Sequence, residues 1–279
     1  MIGHCSGNWT GGRLMTPCGG IGVAMFLITS GYGLNESYKK SGLKNFWKKR
    51  LGRMYIPYAL VVLVYALVQQ WGWQKVLLNL SCYNSPYWFV TYIVECYIVF
   101  WIVSKLVPQH RNVVLMLVSV STLYLMPELQ AEQAFSFVTG VLLSTYKEKI
   151  FAMLEDKRTY SIICVTLLIV GVFFLGIKQL PIVRTQANVV EMNLIQSMIK
   201  YPLGLHVLLA IKSINPILKN PLLHLAGLMS YELYLVHFPF YTQIQERLWP
   251  ALALIVASFI VAYGFYRMNN WMHNKIVSL

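Results

Sequence analysis

Long apolar runs are the feature that most limits what this chain can fold into. The clearest are Ile56–Trp71, Trp88–Val107, Tyr160–Ile177 and Ala251–Tyr266. An α-helix needs about 20 predominantly apolar residues to cross roughly 30 Å of hydrocarbon. A transmembrane β-barrel would instead show short segments of alternating polarity, and the sequence lacks that pattern. The runs therefore predict an all-α, polytopic membrane helix bundle.

The remaining composition agrees with this fold class. Charged residues make up 12 % of the 279 residues and hydrophobic residues 57 %, whereas soluble domains carry about 25 % charged residues. The apolar runs thus exclude a soluble nucleic-acid-binding protein, despite the net charge of +13. We expect one membrane domain over residues 1–279, with about nine transmembrane helices. The predicted spans are Cys18–Leu34, Met54–Trp73, Tyr87–Val107, Arg111–Met126, Glu132–Tyr146, Tyr160–Lys178, Val189–Ile211, Leu222–Gln243 and Trp249–Met268.

Basic residues are distributed unevenly between the two sides of the predicted bundle. The side that holds Asn35–Arg53, Lys147–Arg158 and the tail after Arg267 has about 17 Lys and Arg residues, and the other side has about 5. Cytoplasmic loops of membrane proteins are enriched in these residues. The first side is therefore predicted to face the cytoplasm, with the C-terminus inside and the protein in the cell (inner) membrane. The five cysteines show no metal-ligand spacing, so no metal site is predicted.

Ionisable side chains at membrane depth are costly and require a partner or a function. Glu95 lies in the middle of a predicted span. One interpretation is a protonated or hydrogen-bonded carboxyl that joins helices. The other is an acid that lines a cavity, where it binds substrate or orients a histidine. Both stay open at the level of the sequence.

The histidines and Lys200 are weaker signals. His237 lies near the outer end of a predicted span, where a structural role is slightly favoured over a catalytic one. Glu232 precedes it by five residues and lies about 140° around the helix, so the two are not expected to pair. Lys200, His206 and His224 are expected to lie near an interface or to snorkel towards it.

Two segments near the N-terminus have unusual composition. Gly19–Leu34 is rich in glycine, and small residues at such spacing let helices approach closely. Phe46–Tyr58 is rich in Lys and Arg, which fits either a loop anchored to anionic lipid headgroups or a phosphate clamp. Arg50 and Arg53 are three residues apart and share one face of an α-helix. A guanidinium group can bind phosphate through two hydrogen bonds.

Taken together, these segments resemble the acyltransferase 3 family of integral membrane acyltransferases. The order and spacing of the matching residues extend over nearly the whole chain. The resemblance rests on His4-Cys-Ser, on Gly19–Leu34 with its Ser30-Gly31-Tyr-Gly33-Leu ending, on Phe46–Tyr58 with Arg50-Leu-Gly-Arg53 and Pro57, and on Trp88-Phe89, Tyr97 and Ser230–His237.

The resemblance implies a membrane enzyme that uses a cytoplasmic acyl-CoA, most often acetyl-CoA, as its acyl donor. The implied acceptor is a hydroxyl group of a surface or lipid-linked glycan. By the same resemblance, His4 is the catalytic histidine, and Arg50 and Arg53 contact the donor. The expected partners are thus acyl-CoA, the glycan and the lipid bilayer, with no nucleic acid. Candidates for lining the substrate cavity are Ser30, Trp88, Glu95, Tyr97 and His237.

The chain departs from the family pattern before His4. In the family an arginine precedes the catalytic histidine by about three helical turns, whereas only Met1, Ile2 and Gly3 precede His4. We therefore expect that the native protein begins roughly 10–25 residues earlier, which would restore a first span of normal length. Two alternatives stay open: a transporter or flippase of lipid-linked glycan, and an inactive, truncated acyltransferase homologue.

Overall fold

A computed structural model of the chain describes residues 16–82, 85–213, 220–241 and 248–278. Most of these residues are helical, and the described ranges contain no strand. The prediction of an all-α membrane helix bundle is therefore confirmed. In chain order the helices are α1 (Thr16–Ser41), α2 (Phe46–Arg50), a π-helical turn (Leu51–Tyr55), α3 (Ile56–Val68), α4 (Trp73–Leu80), α5 (Trp88–Leu106), α6 (Arg111–Leu125), α7 (Glu128–Ala131), α8 (Ser136–Thr145), α9 (Lys147–Glu155), α10 (Lys157–Gln179), α11 (Pro181–Gln186), α12 (Val189–Ser213), α13 (Pro221–Leu228), α14 (Ser230–Tyr241) and α15 (Leu248–Ser278).

Four of the described helical segments have the length and hydropathy of a membrane span. They are Phe46–Val68, Trp88–Leu106, Lys157–Gln179 and Val189–Ile211, and each overlaps a span predicted from the sequence. The apolar helix Arg111–Leu125 is shorter. These segments are what fixes the chain in the bilayer.

Two predicted spans have a different local structure. Helix α8 covers only ten residues of the predicted span Glu132–Tyr146, and a helix of that length extends about 15 Å. The predicted span Leu222–Gln243 consists of two helices, α13 and α14. The break follows Gly227 and precedes Ser230, both residue types with weak helix propensity.

The described residues form two compact units. The first unit contains residues 16–19, 44–82, 85–91, 220–241 and 248–278, and the second contains residues 20–43 and 92–213. In the first unit, α14 packs against α15 and α3. The hydroxyl of Tyr231 in α14 donates a hydrogen bond to the carbonyl oxygen of Met54 at 2.8 Å, which fixes α14 to the π-helical turn.

The second unit contains the antiparallel pair α10 and α12. The Tyr160 hydroxyl donates to the Leu209 carbonyl at 2.6 Å, and Nδ1 of His206 lies 2.9 Å from the carbonyl oxygen of Cys164. The His206 side chain therefore joins the two helices of this pair. It does not snorkel, which is what the sequence had suggested. The outer face of α10 is apolar and exposed by 53–61 % at the helically spaced residues Val165, Ile169, Val172 and Phe173, as expected of a surface that faces lipid.

Helices α1 and α8 of the second unit touch backbone to backbone. A side chain on Gly31 would overlap the carbonyl oxygen of Phe137, and one on Gly140 would overlap that of Ile28. Only glycine permits this approach, so the close packing predicted for the glycine-rich segment is located at Gly31. Gly33, by contrast, faces open space.

This contact predicts opposite effects of alanine at two neighbouring positions. Gly31→Ala should lower the free energy of unfolding by about 1–3 kcal/mol, because the added methyl group overpacks a backbone contact. Gly33→Ala is the matched control and should be neutral or stabilising by up to about 1 kcal/mol, because alanine favours helix. Thermal unfolding of the purified protein in detergent measures both. Equal effects of the two substitutions would contradict the packing assigned to Gly31.

Candidate functional site

The basic segment lies at the N-terminal end of the candidate membrane span Phe46–Val68, and its helix changes type between the two arginines. Arg50 ends α2, whereas Arg53 lies in the π-helical turn. Pro57 accounts for the change, because it has no N–H to donate to the Arg53 carbonyl four residues earlier. A π-helix has more residues per turn than the 3.6 of an α-helix. Residues three apart therefore diverge, and the expectation that Arg50 and Arg53 share one α-helical face does not hold here.

The two guanidinium groups have different surroundings. Arg50 is half-buried, with its guanidinium carbon 5.9 Å from the centre of the Phe46 ring. Arg53 is exposed. The pair thus presents two separately oriented cations at one end of a membrane-spanning helix.

Trp88 and His237, both substrate-cavity candidates, belong to one aromatic cluster of the first unit. The Trp88 and Phe89 ring centres are 6.3 Å apart. Phe89 in turn lies 5.4 Å from Tyr234, and Tyr234 lies 6.0 Å from the His237 ring. The Tyr87 hydroxyl donates to the Leu235 carbonyl at 3.3 Å. The structure therefore brings together segments that are about 150 residues apart in the sequence.

His237 is 2 % exposed. Its Nδ1 lies 2.7 Å from the Leu233 carbonyl oxygen. A carbonyl oxygen only accepts, so Nδ1 is the donor, and in the neutral ring Nε2 is then the acceptor nitrogen. Glu232 accepts a hydrogen bond from the Asn269 amide at 3.0 Å. It does not pair with His237, in agreement with the expectation from helical geometry.

Ser30, Tyr97 and Glu95 belong to the second unit. Ser30 Oγ and the Tyr97 hydroxyl are 2.6 Å apart and join α1 to α5. Glu95 precedes Tyr97 by two residues, which places it about 200° away around the helix. It therefore lies apart from the Ser30–Tyr97 hydrogen bond.

Glu95 instead lines a small pocket of about 70 Å³ between α5, α6 and α8, together with Tyr92, Ser119, Thr122 and Phe137. Its Oε2 is buried and has no hydrogen-bond partner among the described residues. A carboxyl that served only to join helices would have such a partner. This placement favours the cavity-lining interpretation of Glu95.

Sequence reasoning missed a polar cluster around Asn35, because it placed this residue in a loop, whereas α1 continues to Ser41. Asn35 is fully buried. Its amide nitrogen donates to Ser144 Oγ at 2.9 Å and to Thr145 Oγ1 at 3.1 Å. Its amide oxygen accepts from Arg111 Nη2 at 2.8 Å. The cluster joins α1 to the start of α6 and the end of α8.

Glu36 extends this cluster towards the predicted cytoplasmic surface. Its carboxylate accepts from Ser144 Oγ at 2.8 Å and from the ammonium groups of Lys147 and Lys39 at 3.1 and 3.2 Å. The Ser144 hydrogen bond, followed by those from Lys147 and Lys39, lowers the pKa of Glu36 from 4.5 to about 2. The same carboxylate raises the pKa of Lys147. Both shifts favour the charged pair.

Sequence reasoning also missed a buried network around Lys200. The Lys200 ammonium group forms an ion pair with Glu132, and the two side chains are 8 % and 6 % exposed. It also donates to Gln196 Oε1 at 2.9 Å, the same oxygen to which Lys178 donates at 2.7 Å. The Gln196 amide nitrogen donates to Glu128. The sequence suggested that Lys200 snorkels to an interface. It does not, because it has an acidic partner inside the bundle.

His4, the predicted catalytic residue, lies outside the described residues. His224 is exposed.

The signal that would have revealed the Lys200 network is the spacing of Asn193, Gln196, Ser197 and Lys200, which puts all four on one face of an otherwise apolar helix.

The lowered pKa of Glu36 predicts how stability changes with acid. A carboxylate with a depressed folded-state pKa stabilises the fold above its unfolded-state pKa, and that contribution is lost as the pH falls through the folded-state value. The wild type should therefore lose stability as the pH falls from about 5 to about 2. Glu36→Gln should be less stable than wild type at about pH 7, and the difference should vanish in acid. Thermal unfolding at several pH values measures this.

Glu155→Gln is the matched control, because Glu155 is exposed at the end of α9 and takes no part in the ion pairs of Glu36. It should follow the wild-type pH profile. A Glu36→Gln variant with the wild-type dependence on acid would contradict the ion pairs assigned to Glu36.

Comparison with known proteins identifies the family. The profile of the acyltransferase 3 family, described as an acyltransferase domain, matches residues 1–267 of the 279. Among curated proteins and solved structures, none matches the chain significantly. The family match spans the basic segment, both compact units and the membrane helices described above. The resemblance inferred from the motifs is thus confirmed: the chain belongs to the acyltransferase 3 family of membrane acyltransferases.

Proposed function

We propose that the protein transfers an acyl group, acetyl in the first instance, from acyl-CoA to a hydroxyl of a surface or lipid-linked glycan. The observation that carries this proposal is the family match over residues 1–267. The enzyme is assigned to the cell (inner) membrane, with its C-terminus and the basic segment in the cytoplasm. The excess of Lys and Arg on that side of the predicted bundle supports this orientation.

The donor is assigned to the basic segment. Lys48, Lys49 and Arg50 occupy the last turn of α2, and Arg53 follows in the π-helical turn. Coenzyme A carries a pyrophosphate and a ribose phosphate, so it needs cations at more than one position. The divergent directions of Arg50 and Arg53 suit two separate phosphate groups better than one. Each guanidinium group can donate two parallel hydrogen bonds to one phosphate group.

His4 is assigned the role of general base. Its imidazole takes the proton of the acceptor hydroxyl while that oxygen attacks the carbonyl carbon of the thioester. The new C–O bond forms, the C–S bond breaks, and the coenzyme A thiolate takes up the proton. The products are the acyl ester and the free thiol. A bundle from which water is largely excluded limits hydrolysis of the thioester.

The donor assignment predicts the kinetics of two arginine variants. Arg50→Ala and Arg53→Ala should each raise the KM for acetyl-CoA about tenfold, which corresponds to the loss of a charged hydrogen bond. The KM for the acceptor should change less than twofold. Arg158→Ala is the matched control, because Arg158 is exposed on the same predicted face. Steady-state acetyl transfer in membrane vesicles measures these constants. An unchanged dependence on acetyl-CoA would contradict the clamp.

The assignment of His4 predicts a loss of turnover. His4→Ala should lower kcat by about 10²–10⁴-fold, the usual contribution of a general base, and should leave the KM for acetyl-CoA within a factor of two. His224→Ala, at an exposed histidine, should retain wild-type turnover. Normal transfer by His4→Ala would show that another group is the base. A wild-type protein that binds acetyl-CoA but transfers to no acceptor would favour the inactive-homologue alternative.

A further inference from the structure

The Lys200 network of the second unit has the chemistry of a binding site for a polyhydroxylated ligand. It combines two ammonium groups, two carboxylates and a primary amide within one chain of hydrogen bonds. Such a set both donates to and accepts from hydroxyl groups, which is what recognition of a sugar requires. A purely structural ion pair needs only two of these groups.

The network runs from the protein surface into the bundle. Glu128 is exposed and Lys178 is half-buried, whereas Gln196, Glu132 and Lys200 are buried. Lys200 lies eleven residues after the first residue of α12, a depth of about 16 Å along the helix axis. Polar groups therefore continue from Glu128 and Lys178, which a ligand can contact at the surface, to the buried members of the network inside the bundle.

Within the described part of the chain, three further polar atoms of the same elements have no hydrogen-bond partner. Gln130 Oε1, Asn193 Oδ1 and Ser197 Oγ are buried and make no hydrogen bond to another described residue. Gln130 lies between Glu128 and Glu132, and Asn193 and Ser197 lie on the face of α12 that carries Lys200. Buried polar groups are normally satisfied, so this region has more hydrogen-bonding capacity than the protein itself uses.

An aromatic pair neighbours the buried ion pair in the sequence. The rings of Phe135 and Tyr201 lie 6.4 Å apart, and both residues are half-buried. Tyr201 follows Lys200 directly, and Phe135 lies three residues after Glu132. A pyranose ring has an apolar face of C–H groups that stacks on aromatic rings, in addition to its hydroxyls. Aromatic walls with a few convergent polar groups are typical of ligand sites.

We infer that the network of Glu128, Glu132, Lys178, Gln196 and Lys200 binds the sugar of the acceptor. The inference rests on the proposed function and names the acceptor subsite within it. Glu128 and Lys178 belong to segments predicted to face away from the cytoplasm, the side from which an exported or lipid-linked glycan approaches. The surface members contact the sugar hydroxyls, and the buried ion pair fixes their positions through Gln196.

The surface members are the residues to change, because loss of one partner of the buried pair would destabilise the fold. The probes are the p-nitrophenyl glycosides of glucose, galactose, rhamnose and N-acetylglucosamine, with acetyl-CoA as donor and the full chain in liposomes. Glu128→Gln and Lys178→Met should raise the KM for the accepted glycoside about tenfold or more. The KM for acetyl-CoA should stay within a factor of two. Lys178→Arg, which keeps the charge, should recover much of the affinity.

Two controls separate local from general effects. Lys75→Gln removes an exposed charge from the same predicted face, and Glu148→Gln removes an exposed carboxylate elsewhere on the second unit. Both should keep wild-type constants. An unchanged glycoside KM in Glu128→Gln and Lys178→Met, or a parallel rise in both KM values, would overturn the inference while leaving the proposed function intact.

Thermal stabilisation by the glycosides without acetyl-CoA gives a readout that does not depend on transfer. A glycoside that raises the unfolding midpoint of the wild type, but not that of Glu128→Gln, supports the site even if no acetyl group is transferred. In that case the proposed reaction fails and the sugar site stands. If no glycoside stabilises the wild type, or if all variants are stabilised equally, the sugar site is wrong.

Discussion

The constraint on which the rest of this structure depends is that hydrocarbon offers no hydrogen bonds. Backbone polar groups in the bilayer must therefore be satisfied within helices, and polar side chains must find partners inside the bundle. The second unit shows both consequences. Its helices α10 and α12 carry apolar surface outward, whereas Asn35, Glu132 and Lys200 are buried and paired. Loss of one partner of such a buried pair costs about 3–5 kcal/mol, because the remaining charge is left without compensation.

The same constraint explains which parts of the fold the sequence predicts well. The boundaries of the spans Trp88–Leu106 and Lys157–Gln179 differ by at most three residues from the predicted Tyr87–Val107 and Tyr160–Lys178, because continuous hydropathy determines them. The short helix α8 and the break between α13 and α14 were not predicted, because apolar composition alone does not report where a helix ends. The π-helical turn before Pro57 depends on a single missing N–H, and the sequence showed the proline but not the helix type that results.

For the candidate site, the sequence predicted some of the residues but not the contacts between them. Ser30 and Tyr97 were both named from the motifs, but their 2.6 Å contact joins positions 67 residues apart and needs the fold to appear. Lys200 was misjudged because it was considered alone. Its neighbours at helical spacing, Gln196 and Ser197, form a polar face that a periodicity count reveals, whereas its partner Glu132 lies 68 residues away. Pairwise chemistry between distant segments is therefore what the sequence leaves out.

The distribution of charge between the units has a consequence for mechanism. The donor is assigned to cations of the first unit, and the acceptor to the mixed network of the second. Phosphate groups carry full negative charge, so guanidinium groups suffice to bind them. A sugar is neutral, and its recognition requires donors and acceptors in equal measure. The basic segment Phe46–Tyr58 contains four Lys and Arg residues and no Asp or Glu in its sequence, whereas each cation of the Lys200 network donates to Gln196. On the proposed assignments, the two units offer different balances of hydrogen-bond donors and acceptors to the two substrates. A substitution in one unit is therefore expected to change the kinetics of one substrate and not of the other.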